Sequence, residues 1–417
     1  MSDKIVRFNK NHRKKQRYKT NSVRKSKKRI PVSSIVFVLI FGIALFFAFR
    51  EMRNSETSDT PISTPNPYSQ IIVTGKTVNY DNNVAPPEKD DIWVMYQSLS
   101  GPDKWVYDMF LDLVENRDKT GYNSSIVISD STLKSLGDGY FWNIFYAMCE
   151  DHPEFFFLSS SDSNLESYYY STAGITTYVY EIKKSTKEEE MQVEAFEEAT
   201  KAFMKEIDLS ASDRDIELQI HDKLINLVSY DYELYEQHKN NERINDLGFT
   251  AYGALVQDSS GNKNMAVCEG YSMAFEYLLH QAGIPCGTVS GNANQINAFN
   301  EDQGGHAWNV VYIDENWYEV DATWDDFESS WLAKQNQALC DAYEADEALQ
   351  YNVCHYYFNR TTQEMANMTA DEDTTFEAPG YMPTNLRSDS SHIRYRTVYD
   401  DSSRIKVFQN SLVPVTK

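Results

Sequence analysis

Residues 265–276 read MAVCEGYSMAFE, and a cysteine stands where a run of small residues gives way to a helical pattern. From Cys268 onward, Tyr271, Phe275, Leu278, Leu279 and Ala282 recur at helical spacing, and Gly283 follows as a stop. The spacing predicts a helix that opens at Cys268. At a helix start the unpaired backbone N–H groups and the positive end of the dipole favour an anion, so a thiol placed there suits a nucleophile. The same N–H groups can receive an oxyanion formed on a bound carbonyl. Taken alone, a cysteine in a helix is a small buried hydrophobe. The nucleophile reading therefore needs a base.

The chain has eight histidines, and His306 opens the segment GGHAWNVVYIDENWYEVDATWDD, residues 304–326. HAWNVVYI and WYEVDAT alternate as two strands, and DEN turns between them. With Ile313 opposite Asn316, Asp321 lies across from Trp308 and diagonal to His306, within reach of a long side chain. Ala307, Val311, Ile313, Tyr318, Val320 and Ala322 then make a buried face, and His306, Trp308, Glu319 and Asp321 share the opposite one. Cys268, His306 and Asp321 thus compose a thiol–imidazole–carboxylate set. The imidazole takes the thiol proton, and the carboxylate fixes the ring tautomer and stabilises the imidazolium.

The blocks AVCEGYSMAFEYLLHQAGIPC (266–286), GGHAWNVVYI (304–313) and WYEVDATWDD (317–326) resemble the core of the bacterial transglutaminase-like family, relatives of papain-type cysteine peptidases. Upstream, IHDKLINLVSYDY (220–232) and TAYGALV (250–256) resemble the segment that precedes the nucleophile there, so the likeness spans about 213–330. DHPEFFFL (151–158) resembles part of the N-terminal region of some bacterial members. The resemblance implies an α+β papain-like core, the nucleophile helix packed on an antiparallel sheet, with Cys268, His306 and Asp321 as nucleophile, base and orienting group. No cofactor or metal is implied.

Charge divides the chain. The net charge is −23, yet residues 1–30 hold 13 Lys/Arg and one acid, leaving 26 basic and 61 acidic residues beyond them. The acidic body has no electrostatic footprint for nucleic acid. From Ile30 to Phe49 no residue is charged, and 20 residues span about 30 Å, the thickness of a bilayer core. A cleaved signal peptide fits less well, because the basic stretch is long and the run ends in FREMR rather than small residues. The basic side faces the cytoplasm, which places the N-terminus inside and the C-terminal body outside the cell membrane.

These features divide the chain into a basic tail (1–29), a transmembrane helix (30–49), a Ser/Thr/Pro/Asn-rich linker (50–90), an N-terminal α+β region (91–186), a transglutaminase-like catalytic domain (187–335) and a C-terminal extension (336–417). Within the N-terminal region, residues 131–158 read as one amphipathic helix stopped at His152-Pro153, and 167–182 as two strands around Ala173-Gly174. The extension reads as a terminal strand pair over 394–408 with no chemistry. The five cysteines are odd in number, so one is left over even if Cys340 pairs with Cys354.

Neighbouring residues carry bland alternatives. Tyr252 is a candidate oxyanion donor or else core, and Trp308 a cleft wall or else packing. His221 and Asp222 read as a polar helix face near the surface, and Asp325 and Asp326 as a solvated loop, since two adjacent acids are not a calcium ligand set. The expected function is acyl transfer on amide bonds of proteins or peptides, with cell-envelope components as candidate partners. The alternative is a non-catalytic peptide- or wall-binding module on the same fold, which has no need of all three of Cys268, His306 and Asp321.

Overall fold

A computed structural model describes residues 71–82, 89, 91–137, 139–158, 165–240, 246–256, 264–295, 305–328, 337–366, 390–396 and 401–416. The expected membrane segment 30–49 lies outside them. Among the described residues no helix is long and apolar enough to cross a membrane. The described residues pack as one compact unit.

The hairpin takes the register that its turn dictates. Ile313 pairs with Asn316, so strand β8 (Gly305–Ile313) and strand β9 (Asn316–Val320) meet with Asn309 opposite Val320. Asp314 and Glu315 make the turn with positive φ of 51° and 65°. β7 (Cys286–Gln295) lies on the other side of β8, and β10 (Ser390–Arg394) adds antiparallel to β7, giving the order β10-β7-β8-β9.

Both faces of this sheet are buried, where the alternation predicts one. Cys286, Val311, Ile313 and Val320 face a core built with the helices Asp213–Leu227 and Cys268–Gln281, through Ile220, Leu224, Tyr271, Phe275 and Leu278. Val289, Trp308 and Val310 face a second core filled by Tyr107, Phe110 and Leu113 of the helix Gly101–Glu115, together with Ile144 and Phe145 of the helix Tyr140–Asp151. The N-terminal region therefore roofs the sheet face that carries His306. Its own sheet has the order β1-β2-β4-β3, from β1 (Thr77–Asn79), β2 (Ser124–Ser129), β3 (Leu165–Thr172) and β4 (Ile175–Ile182).

Two expected elements differ. The helix predicted through 131–151 is two, Asp130–Leu136 and Tyr140–Asp151. Gly137 and Gly139 sit between them at φ 86° and 77°, a left-handed backbone that ends one helix and starts the next. The terminal strand pair is instead strand β10 and a helix, Asp401–Leu412, whose Ile405, Phe408 and Leu412 recur at helical spacing. All five cysteines are free thiols, so Cys340 and Cys354 do not pair, and Cys354 Sγ lies 3.1 Å from the Tyr343 hydroxyl.

Candidate active site

Cys268 is the first residue of its helix, with Val267 as N-cap. The short parallel pair β5 (Val228–Tyr230) and β6 (Asn264–Ala266) delivers the chain to that point, and Val267 N–H donates to the Gly248 carbonyl at 3.0 Å. Gly270 permits the approach: a Cβ there would stand 2.5 Å from Gly248 O and 3.0 Å from Thr250 O. The helix is buried from Gly270 to His280. Surrounding packing therefore fixes its start, and with it the position of the sulfur.

His306 is the second residue of β8, beside Gly291 of β7. Its side chain is 7% exposed, and Nε2 lies 2.6 Å from Asp321 Oδ2. Asp321 is fully buried and caps the short helix Ala322–Asp325, with Oδ1 accepting from the N–H groups of Thr323 at 3.0 Å and Trp324 at 3.1 Å. Burial works against a charge on His306, but Asp321 and the Cys268 thiol, both within hydrogen-bond reach, outweigh it and raise its pKa from 6.5 to about 10. Burial likewise opposes ionisation of Asp321, yet His306 and the other hydrogen bonds hold its carboxyl well below the usual range. With Nε2 committed to Asp321, Nδ1 is the ring nitrogen left for the sulfur. The structure thus brings together the three residues that the sequence singles out.

A fourth group belongs to this cluster and escapes sequence reading. His392, on β10, is fully buried and places Nε2 2.7 Å from the same Asp321 Oδ2. Facing an ionised carboxylate, both histidines donate N–H. Burial pushes the His392 pKa down, so it is neutral, and its Nδ1 lone pair is buried without a hydrogen-bond partner. One imidazole on Asp321 thus carries charge and the other does not. The only trace in the sequence is the alternation of SHIRYR, which puts His392 and Arg394 on one strand face toward two buried acids.

Other expectations change. Tyr252 packs on Phe156 with ring centroids 4.9 Å apart and has Glu188 as its charged neighbour, so it is a packing residue. The tyrosines whose ionisation the Cys268 thiol opposes are Tyr230 and Tyr395; burial, then Cys268, raises the pKa of each. Trp308 does not wall a cleft. It is fully buried, donates from Nε1 to Glu319 Oε2 at 2.6 Å and stacks on the His306 ring at 6.0 Å. Lys406, in the C-terminal helix, holds Glu269 Oε1 at 2.9 Å. Asp325 and Asp326 are buried rather than solvated: Asp325 Oδ1 accepts from Tyr357 N–H at 2.9 Å, and Asp326 Oδ2 from the Tyr271 hydroxyl at 2.7 Å. His221 is fully buried rather than at the surface.

Glu319 anchors the strand that carries His392. It is fully buried and accepts from Arg394 Nη2 at 2.6 Å, while Arg394 Nη1 reaches the Pro414 carbonyl at 2.8 Å. Replacing Arg394 with alanine leaves this carboxylate uncompensated and is expected to cost about 3–5 kcal/mol. Urea unfolding measures it. A loss under about 1 kcal/mol would mean the pair does not hold β10 in place.

Residues 201–322 match the Transglutaminase-like superfamily core, a span that contains Cys268, His306 and Asp321. The chain carries a transglutaminase-like domain. Over 61 residues it is 38% identical to kyphoscoliosis peptidase of Mus musculus and equally to that of Homo sapiens, which is 14% of this chain and 9% of each relative. The match thus spans about a tenth of the length of those relatives. A crystal structure of a TGase shares 16% identity with a TM-score of 0.25, covering 49% of this chain and 52% of the other. The transglutaminase-like match ends at residue 322, well before His392.

Proposed function

We propose that this protein is a thiol enzyme that transfers acyl groups from amide bonds of proteins or peptides through Cys268, His306 and Asp321. One observation carries the reading: a single buried imidazole stands between a carboxylate at 2.6 Å and a thiol at the start of a helix. His306 holds the thiol's proton on Nδ1, and the sulfur attacks the amide carbonyl as the thiolate. The oxyanion is met by backbone N–H groups at the helix start. Collapse breaks the C–N bond, His306 returns the proton to the leaving amine, and a thioester remains on Cys268. Water then releases an acid, or an amine such as a lysine takes the acyl group. The first outcome is peptidase or amidase chemistry and the second is cross-linking.

The fold supports either acceptor. Mass spectrometry of the protein with a peptide library and added amine separates them, since hydrolysis, deamidation and amine addition change mass differently. Unaltered peptides throughout would favour a binding module on this fold. For location, the charge-free run 30–49 behind a basic tail supports a single membrane anchor with the C-terminal domain outside the cell. The envelope would then be the source of its substrates.

The same geometry sets the pH dependence. His306 must hold its proton until the amine leaves, and that proton is retained to about pH 10. Rates measured from about pH 5 to about pH 11 should therefore show kcat/KM falling on the alkaline side with an apparent pKa near 10, a value that belongs to the coupled cluster. An alkaline limb centred near the ordinary histidine value of 6.5 would show that Asp321 does not hold the ring charged.

A further inference from the structure

His221 and His355, far apart in sequence, converge on one oxygen. His355 Nε2 lies 2.7 Å from Asp222 Oδ1, and His221 Nδ1 lies 3.1 Å from the same atom. One nitrogen from each ring and one Asp222 oxygen all lie within 4.8 Å of one another. The outward nitrogens are held as well. His355 Nδ1 faces the Tyr351 carbonyl at 2.6 Å, and His221 Nε2 faces Asp325 Oδ2 at 3.2 Å. His221 and Asp325 are both fully buried, and these two atoms have no hydrogen-bond partner of good geometry.

At rest each ring donates an N–H to the one Asp222 oxygen, as the two rings do at Asp321, and a metal ion would take the place of those protons. Holding the far nitrogen of a histidine on a carbonyl or a carboxylate is also how metal-ligating imidazoles are oriented. We propose that His221, Asp222 and His355 form a binding site for a divalent transition-metal ion of the Zn²⁺ class.

The donor set decides the class. Two imidazole nitrogens and one carboxylate oxygen suit zinc and its neighbours, whereas calcium and magnesium take oxygen ligands. The site has an approach. A cleft of about 420 Å³ opens beside it, lined by Asp222, His355, Asp326, Glu328, Glu344 and Glu347, and its acids attract cations. The Asp222 side chain is 44% exposed, which leaves a coordination position open toward the cleft. Sequence reading assigned no metal, because His355 lies 133 residues beyond Asp222. A bound ion would tie the helix Asp213–Leu227 to the residue that follows the helix Glu347–Cys354. Through Asp325 it would also brace the short helix that Asp321 caps.

Titration of the full chain, freed of metal by chelation, with Zn²⁺ in a calorimeter tests the site. One equivalent should bind, and Asp222→Asn and His355→Gln should each weaken binding at least tenfold. Cys268→Ala should leave the affinity as it is. Asp222→Asn alters a half-exposed side chain and keeps the fold, so its affinity reads the site directly. The proposal is overturned if no saturable binding occurs, or if both variants bind as the parent does. Loss of binding in Cys268→Ala alone would also overturn it, by moving the ion to the His306–Asp321–His392 cluster.

Discussion

Replacing Cys268 with alanine is expected to lower turnover by on the order of 10⁴- to 10⁶-fold while the protein stays folded. The magnitude is what removal of a nucleophile costs when binding and the oxyanion site remain. The fold should tolerate the change, because Cys268 is partly exposed at a helix start and alanine is a strong helix former. A stability change under about 1 kcal/mol follows. No other buried thiol is ready to take over. Burial raises the pKa of Cys149, Cys286 and Cys354, the last to about 11, which leaves little thiolate near neutrality. Cys340→Ala is the matched control and should keep the parent rate. The check is kcat/KM alongside thermal unfolding. A folded Cys268→Ala protein within tenfold of the parent rate would remove the thiol from the chemistry.

The parts legible in the sequence are those set by local pattern. The register of the hairpin follows from its turn residues, and that register alone predicts that Asp321 can reach His306, as the 2.6 Å contact bears out. The helix that begins at Cys268 follows from apolar spacing and Gly283. What could not be read depends on pairing across long separations. His392 meets Asp321 because β10 joins the far edge of β7, with Ile393 opposite Asn292, and no periodicity announces such a pairing. Asp325 looks like half of a solvated acidic pair, yet it ends a short helix that Asp321 caps, and the fold buries it against His221 and the Tyr357 backbone. The second buried sheet face was hidden for the same reason, since its roof comes from Tyr107, Phe110, Leu113, Ile144 and Phe145, far upstream of the strands they cover. Local physics thus read out the reacting groups, and tertiary packing supplied the groups that hold them.

Those supporting contacts converge on one side chain, and Asp321→Asn is the substitution that tests them. Asparagine keeps the shape, and its carbonyl oxygen can still accept from the Thr323 and Trp324 N–H groups. Its amide NH₂ then faces the two Nε2–H donors of His306 and His392, donor against donor. Each ring must move or shift its proton to Nδ1, and a His306 protonated there cannot take the proton of Cys268. Wrong-tautomer loss of this kind is worth about 10⁴-fold in rate. Stability should fall by about 3–5 kcal/mol, as when one partner of a buried pair is removed. The sign of the pH dependence separates this from a general packing defect. In the parent, the raised His306 pKa contributes stability that is complete below 6.5 and is lost as pH rises toward about 10. The depressed Asp321 carboxyl contributes stability present above 3.8 and lost as pH falls below it. Both describe one ion pair, so the variant should lose both limbs together, and its unfolding midpoint should vary less with pH at each end. Its alkaline rate limb should move from near 10 toward the ordinary histidine range. A variant that kept the parent rate, or kept the alkaline loss of stability, would show that Asp321 does not set the state of His306.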